Sequence, residues 1–428
     1  MNFVQLTEHE FEAFEANHRQ GNFLQSVVMG KRRQSTGWQM HLVGLKNDDG
    51  AVVAAALLSS RKVFLGYSDF DCAQGPVLDY DDAEVLAAFL TGLKGYLHEH
   101  RALRTTLNPT VLLTHRDLDA ELIDDGYSGW KYVEQFEANW FSHQDNAEVD
   151  RDPHLFRWFF SKDLSGITNA DELTASFDSR AQRSLQTSIK SGVEVSVLGR
   201  EQLDEFHDVL KHTAERRGFE YRDKSYHHSL AEFLSPDELK FCAARLNTQV
   251  YGEFLQQSLD KQQTEVRKAE DALAKNPENV KAQNRLRAAQ EAVASGDVKL
   301  KQLDELKANG ANPILAVGLF ISHANEMVFL AGGSYDDYAS FRAPFSLHWF
   351  AMQQAMQAGI TRYNFYGTNG EFSGNPEQHG VYLFKRGFGG VSEERIGYFS
   401  LVSTPWVEKL RELAGGAKSF SRKILRRG

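Results

Sequence analysis

A chain of 428 residues with 42% hydrophobic and 11% aromatic content has room for two or three domains and ample core, which excludes a disordered or fibrous class. Its formal net charge of −10 excludes a general nucleic-acid coat, and no apolar run reaches the roughly 18 residues of a membrane-spanning helix. Two cysteines, Cys72 and Cys242, are too few for a disulfide framework and lack metal-ligand spacing, so both read as buried thiols.

In chain order, the start Met1–Glu8 lacks a basic-then-apolar export signal, which points to the cytoplasm. Thr7 and Glu10 form a capping box for a helix running to about His18. After Gly21–Ser26 and the cationic Lys31-Arg-Arg33, Met40–Lys46 alternates as a strand. Asn47-Asp-Asp-Gly50 turns and Ala51–Ser59 returns, a hairpin signal. A third strand is predicted near Lys62–Tyr67, a helix over Ala83–His98 and a strand over Leu103–Leu107, ending at Asn108-Pro109. This is a compact α+β unit over about residues 1–150.

The same grammar recurs from 151 to 250. A strand at Leu155–Leu164 leads to a helix over Ala170–Ser191 with Arg180, Arg183 and Lys190 on its polar side, then a strand at Gly192–Leu198. Helices follow over Gln202–Arg216 and His228–Leu234, and a strand over Glu238–Leu246. Such repetition suggests duplicated halves. The pattern then breaks over 251–309. Leu255, Leu259, Gln262, Val266, Ala269 and Leu273 step by fours and threes, as do Leu286, Ala289, Val293, Gly296, Leu300 and Leu303, with Asn276-Pro-Glu-Asn279 between. Two heptad helices joined by a turn make an antiparallel coiled-coil arm, inserted in the second half. Gln262 and Gly296 are expected to weaken its seam and leave its tip mobile.

The second half resumes over 310–405 with strands at Pro313–Ile321 and Glu326–Leu330, the pair ending in Ala331-Gly-Gly-Ser334, and a helix over Pro344–Gly359. The stretch Thr361–Gly370 reads as an aromatic strand running into a Gly/Asn turn. His379–Gly390 reads as an edge segment carrying Lys385 between Phe384 and Phe388, a cation in an aromatic setting suited to a phosphate or a developing negative charge. The remainder, 406–428, is a basic tail whose last eleven residues hold five cations and no acid, a composition that fits anionic lipid, an RNA backbone or plain solvent. No Ser-His-Asp order, paired-carboxylate spacing or HExxH occurs, and His227, His228 and His379 read as structural or exposed.

His41–Lys46, Gln74–Tyr80, Ala331–Ser334, Tyr363–Gly367, Phe384–Phe388 and the helical insertion, taken in this order from Phe3 to about Pro405, resemble the Fem family of peptidoglycan-bridge aminoacyltransferases, its FemA-type members above all. The resemblance implies two GNAT-like halves with a coiled-coil arm in the second. It implies transfer of an amino acid from aminoacyl-tRNA to the amine of the stem peptide's third residue, or to a growing bridge, on the lipid-linked precursor. It implies no metal and no cofactor beyond the aminoacyl-tRNA co-substrate, and contact with the inner membrane face and with other bridge-forming transferases. Position by position, Arg33, eight residues after Gln25, takes the place of a precursor-phosphate ligand. Arg222 and Tyr226 of Arg222-Asp-Lys-Ser-Tyr226 take those of a phosphate contact and an acceptor-site residue. Phe384-Lys385 takes that of the pair beside the reacting ester. Asn108 stands where the family commonly has an aspartate, and an amide cannot act as a general base.

An aminoacyl ester is already activated, so such an enzyme needs alignment, a cation for the oxyanion and cations for the diphosphate, not a nucleophile of its own. Lys385 fits the second task and Arg33 and Arg222 the third. Tyr226 and Tyr366 are candidate relays, and the proton acceptor for the amine is left open. Rival readings are the same transfer to the soluble nucleotide-linked muropeptide, a CoA-dependent N-acyltransferase and a non-catalytic scaffold. No Gly-rich pyrophosphate loop opens a helix in either half, which counts against the CoA reading.

Overall fold

In the computed structural model, the described residues are 1–150, 155–218, 220–308, 312–368, 370, 372 and 376–414; the basic segment 418–428 lies outside them. The first half comprises β1 (Asn2–Gln5), α1 (Glu8–Glu15), α2 (Val27–Ser35), β2 (Gln39–Lys46), β3 (Val52–Phe64), β4 (Tyr67–Cys72), β5 (Val77–Leu78), α3 (Ala83–Glu99) and β6 (Ala102–Leu107). It continues with β7 (Leu112–His115), α4 (Trp130–Ala138), β8 (Ser142–His143) and α5 (Asn146–Val149). Next come β9 (Trp158–Asp163), α6 (Ala170–Ala175), α7 (Ser179–Lys190), β10 (Val193–Val197), α8 (Leu203–Arg217), α9 (Lys224–Phe233) and β11 (Leu239–Leu246). The arm is α10 (Thr248–Lys275) and α11 (Val280–Ala308). The chain then forms β12 (Ile314–His323), β13 (Glu326–Ser334), α12 (Ala343–Gln357), β14 (Arg362–Thr368), α13 (Pro376–Arg386), β15 (Val391–Arg395) and β16 (Phe399–Val402).

The α+β expectation of two halves holds, and their topologies match. In the first sheet the strands lie in the order β1-β2-β3-β4-β6, in the second β10-β11-β12-β13-β14. Each series is antiparallel until its last pair, β4 with β6 and β13 with β14, which is parallel. A parallel pair needs a crossover, and α3 and α12 supply it. The arm joins β11 to β12, the place that a tight Asn47–Gly50 turn holds between β2 and β3 in the first half.

The sheets do not divide where the sequence suggested. Strand β7, from the first half of the chain, pairs with β15 in the second sheet, and β16, from the far end, pairs with β6 and β8 in the first. Each half therefore lends the other a strand. A second tie is hydrophobic: Phe23 and Met29 of the first half are buried in one core with Leu203, Phe206, Leu230, Phe241 and Val317 of the second. Burial of side chains this size stabilises by about 1.5–3 kcal/mol each. A third tie is ionic, with His323 Nε2 on β12 lying 2.9 Å from both carboxylate oxygens of the buried Glu15 on α1.

Local readings differ in instructive places. The capping box at Thr7 and Glu10 is present. The third strand begins at Tyr67, because β3 continues through Phe64 and the chain turns at Leu65-Gly66. The helix expected over Ala170–Ser191 is two helices. Asp178 caps α7, its side chain accepting the Ala181 N–H at 2.7 Å, while its own N–H donates to the Gly387 carbonyl at 2.9 Å. In the arm, Leu255, Leu259, Ala269, Ala289 and Leu303 are buried as the heptad pattern requires. Gly296 is no weak point: a Cβ there would come within 2.4 Å of Leu259, so the glycine is the hole that admits this leucine. Cys72 and Cys242 are buried free thiols. Among the described residues no helix is long and apolar enough to cross a membrane.

Candidate active site

The segment with Lys385 is not an edge strand but the last turn of α13. Phe384, on the helix, and Phe388, two residues past its end, pack with their rings 5.2 Å apart. This helical placement sends Lys385 inward. It is 6% exposed and donates to the carbonyls of Gly367 at 2.9 Å and Tyr366 at 3.3 Å. Burial, with no carboxylate in contact among the described residues, lowers its pKa to about 7. An ammonium has three N–H donors, so two carbonyls leave one.

Those carbonyls are turned toward Lys385 by an irregularity in β14. The register with β9 slips between Asn364 and Gly367, and Tyr366 sits at φ +64°, a left-handed conformation that a tyrosine adopts only when its surroundings impose it. Asn364 imposes it, its side-chain oxygen accepting the Tyr366 N–H at 2.8 Å while its amide donates to Glu326 at 3.0 Å. Gly367 is needed because a Cβ there would lie 2.4 Å from Phe156. Behind α13, His348 donates or accepts across 2.7 Å with Tyr363 and packs among Phe365, Phe384 and Phe388. Burial and the nearby Lys385 push its pKa to about 3, so it is a neutral wedge holding α13 on β14.

The remaining residues converge on Tyr366. Burial raises its pKa, and Tyr226, Tyr398, Arg395 and Glu326 all act on it electrostatically. Tyr226, on α9, lies under two cations: the guanidinium carbon of Arg32 is 4.3 Å from its ring centroid and that of Arg222 is 5.5 Å away. Arg33 is one residue on, at the end of α2, but it is paired with Asp71 at 2.6 Å and stacked on Trp38. Asn108 follows β6; its oxygen accepts the Gln74 N–H at 2.7 Å, and its side chain hydrogen-bonds the Tyr398 hydroxyl. Arg33, Arg222, Tyr226, Tyr366, Asn108, Phe384 and Lys385 are thus linked through one junction between the halves. Two differ in kind from the expectation. Arg33 has its charge balanced by Asp71, and Asn108 holds a tyrosine and a turn in place.

Arg32, Tyr398, Arg395 and His348 escaped the sequence reading. Arg32 lies one position from the residue chosen, and its Nε is buried without a partner among the described residues. Arg395 belongs to the buried strand segment Ser392-Glu-Glu-Arg395, which the sequence alone leaves unassigned. Inside, Glu393 meets Arg362 at 2.6 Å, and Glu394 meets Arg157 at 2.7 Å and Arg116 at 2.6 Å. The Arg395 guanidinium sits 3.5 Å from the Phe159 ring centroid. Of the three histidines set aside, His227 is buried with its pKa lowered to about 4 by burial, and His228 is exposed. His379 is partly buried beside Tyr382.

Twin mixed sheets, an arm inserted in the second hairpin and a desolvated lysine at the junction define a group-transfer enzyme of the FemX fold. The solved FemX structure matches with a TM-score of 0.73 and 25% identity, covering 96% of this chain and all of that one. The chain belongs to the FemAB family, which it matches over residues 6–415. Among curated relatives, aminoacyltransferase FemB of Staphylococcus epidermidis is 31% identical over 401 residues, covering 93% of this chain and 94% of the relative. Aminoacyltransferase FemA of Staphylococcus aureus is 29% identical over the same length and coverage.

Proposed function

We propose that the protein is an aminoacyltransferase that moves an amino acid from aminoacyl-tRNA to the third-residue amine, or to a growing bridge, of the lipid-linked peptidoglycan precursor. The observation that carries this reading is Lys385, a nearly dry ammonium with two carbonyl acceptors and one N–H to spare. In this mechanism the precursor amine attacks the ester carbonyl, and the carbonyl oxygen becomes an oxyanion that takes the remaining Lys385 N–H. Collapse expels the ribose oxygen, which recovers the proton lost by the amine. A donor aimed at such an oxyanion contributes about 3–4 kcal/mol.

Arg32 and Arg222, flanking Tyr226, bind the acceptor's diphosphate, with Arg33 joining when Asp71 releases it. Tyr226 and Tyr366 line the path between diphosphate and ester. Because the ester arrives activated, the chemistry calls on no cofactor other than the aminoacyl-tRNA. A lipid-linked acceptor places the enzyme at the inner face of the membrane.

The test is a reconstituted transfer with purified lipid-linked precursor, its soluble nucleotide-linked counterpart and a panel of labelled aminoacyl-tRNAs. Product mass reports the residue added and its position. Transfer to the soluble acceptor alone would move the protein off the membrane, and turnover of acetyl-CoA without tRNA would replace the reading altogether.

A further inference from the structure

Residues 405–414 form a short helix that begins at Pro405, a favoured first helical position. Its inner side is well anchored. Val407 is fully buried, and the buried Glu408 accepts from Arg104 at 2.6 Å and Arg411 at 3.0 Å. Arg411 also pairs with Asp69 on β4 at 2.8 Å. Its outer side is apolar. Trp406 is 61% exposed, Leu410 43% and Leu413 72%. At positions i, i+4 and i+7 they fall within about 60° of one another around the helix, one apolar stripe beside Lys409 and Glu412.

Large exposed apolar groups on a firmly docked helix call for a cover. The sequence that follows argues for which one. Lys418, Arg422, Lys423, Arg426 and Arg427 are five cations without an acid, interleaved with Phe420, Ile424 and Leu425, in a chain whose net charge is −10. A negatively charged protein is repelled by an anionic surface unless cations are concentrated where it touches. A tryptophan with leucines beside it, next to a cationic segment, is the composition that settles at the head-group level of a bilayer.

We infer that the Trp406–Leu410–Leu413 stripe seats the protein on an anionic lipid surface. This deepens the proposed function by naming the part of the chain that reaches the membrane holding the acceptor. The attachment sits on the first sheet through Arg104 and Asp69, so it leaves Lys385 and the arginines around Tyr226 untouched.

The experiment uses the full-length chain and vesicles, without any transfer reaction, so its outcome is separate from that of the functional assay. Co-sedimentation with phosphatidylglycerol-containing vesicles is expected to show binding that falls at least tenfold on neutral phosphatidylcholine vesicles. Trp406→Ser with Leu410→Ser and Leu413→Ser is expected to lower binding to anionic vesicles at least tenfold, with an unchanged melting temperature. Replacing the five cations by glutamine should lower binding to anionic vesicles and erase the preference over neutral ones. Failure of the wild-type chain to bind, or binding indifferent to the triple substitution, overturns the inference. So does a wild-type dimer in solution that the triple substitution dissolves, because a second copy would then be the cover.

Discussion

On the side of the junction that the first half supplies, Arg33 keeps a carboxylate partner at 2.6 Å and a tryptophan beneath its guanidinium. On the side from the second half, Lys385 has two carbonyls, 6% exposure and no carboxylate among the described residues. The topologies of the two halves match strand for strand over five positions, yet one copy holds its cation in an ordinary, balanced setting and the other strips its cation of water. A balanced arginine can exchange one anion for another, which suits binding. A desolvated lysine gains most when negative charge develops against it, which suits catalysis. The two halves are similar frames, and the difference in desolvation gives them different work.

The comparison breaks first at Lys385. Lys385→Met is expected to lower kcat by about 100- to 1,000-fold. It should also stabilise the fold. A lysine whose pKa falls to about 7 in the folded chain, against 10.5 unfolded, keeps its proton more readily unfolded, so wild-type stability rises between about pH 7 and 10.5. The substitution should therefore raise stability by about 1–3 kcal/mol at pH 7 and below, with the gain shrinking toward pH 10. Thermal melts across that range check it.

Next come the arginines that flank Tyr226. Arg222→Ala and Arg32→Ala are each expected to raise the KM for the precursor about tenfold while changing kcat less than threefold, in steady-state transfer assays. Arg33→Ala should do less, because Asp71 already shares its charge. An effect at Arg33 larger than at Arg32 would return the phosphate contact to the position that the family resemblance assigned.

The tie between the halves is sharpened by pH. Burial opposes a charge on His323, but the hydrogen bond and attraction from Glu15, with Glu326 and Glu238 near, outweigh it and raise its pKa. Its contribution is fully present below pH 6.5 and is lost as pH rises through the raised value. His323→Gln should flatten the pH dependence of the melting temperature over that window, and Glu15→Gln should cost about 1–3 kcal/mol at pH 6. The smallest effect is expected at Asn108. Asn108→Asp keeps an acceptor for the Gln74 N–H and loses only the amide N–H offered to Tyr398, whose hydroxyl keeps its bonds to the Phe156 backbone, so transfer should change less than about threefold. A large gain in rate would mean that a carboxylate base matters there.

Much of the frame was legible where one period dominates. The alternation of β2 and β3, the length of α3 and the heptads of the arm all declare themselves. Tyr382, Phe384 and Phe388 fit both a period of two and a spacing of four, so α13 passed for a strand. Pairing between distant segments left no local mark, as β16 meets β6 across nearly 300 residues. Ser392–Arg395 went unassigned for a physical reason: charged residues enter a core only when their partners come with them, and Arg362, Arg157 and Arg116 lie far off in sequence. At the site, Arg222, Tyr226 and Lys385 were reached through family-like motifs. Arg395, Tyr398 and His348 carry no motif and became visible only through what they touch.

The most direct test of a binding wall facing a chemical wall is to measure kcat and precursor KM for Lys385→Met and Arg32→Ala side by side, with saturating aminoacyl-tRNA. The expected result is a crossed pattern, with kcat lost and KM within about twofold for Lys385→Met and the reverse for Arg32→Ala. Equal losses of kcat in both, or a KM effect confined to Lys385→Met, would contradict the division of labour between the halves.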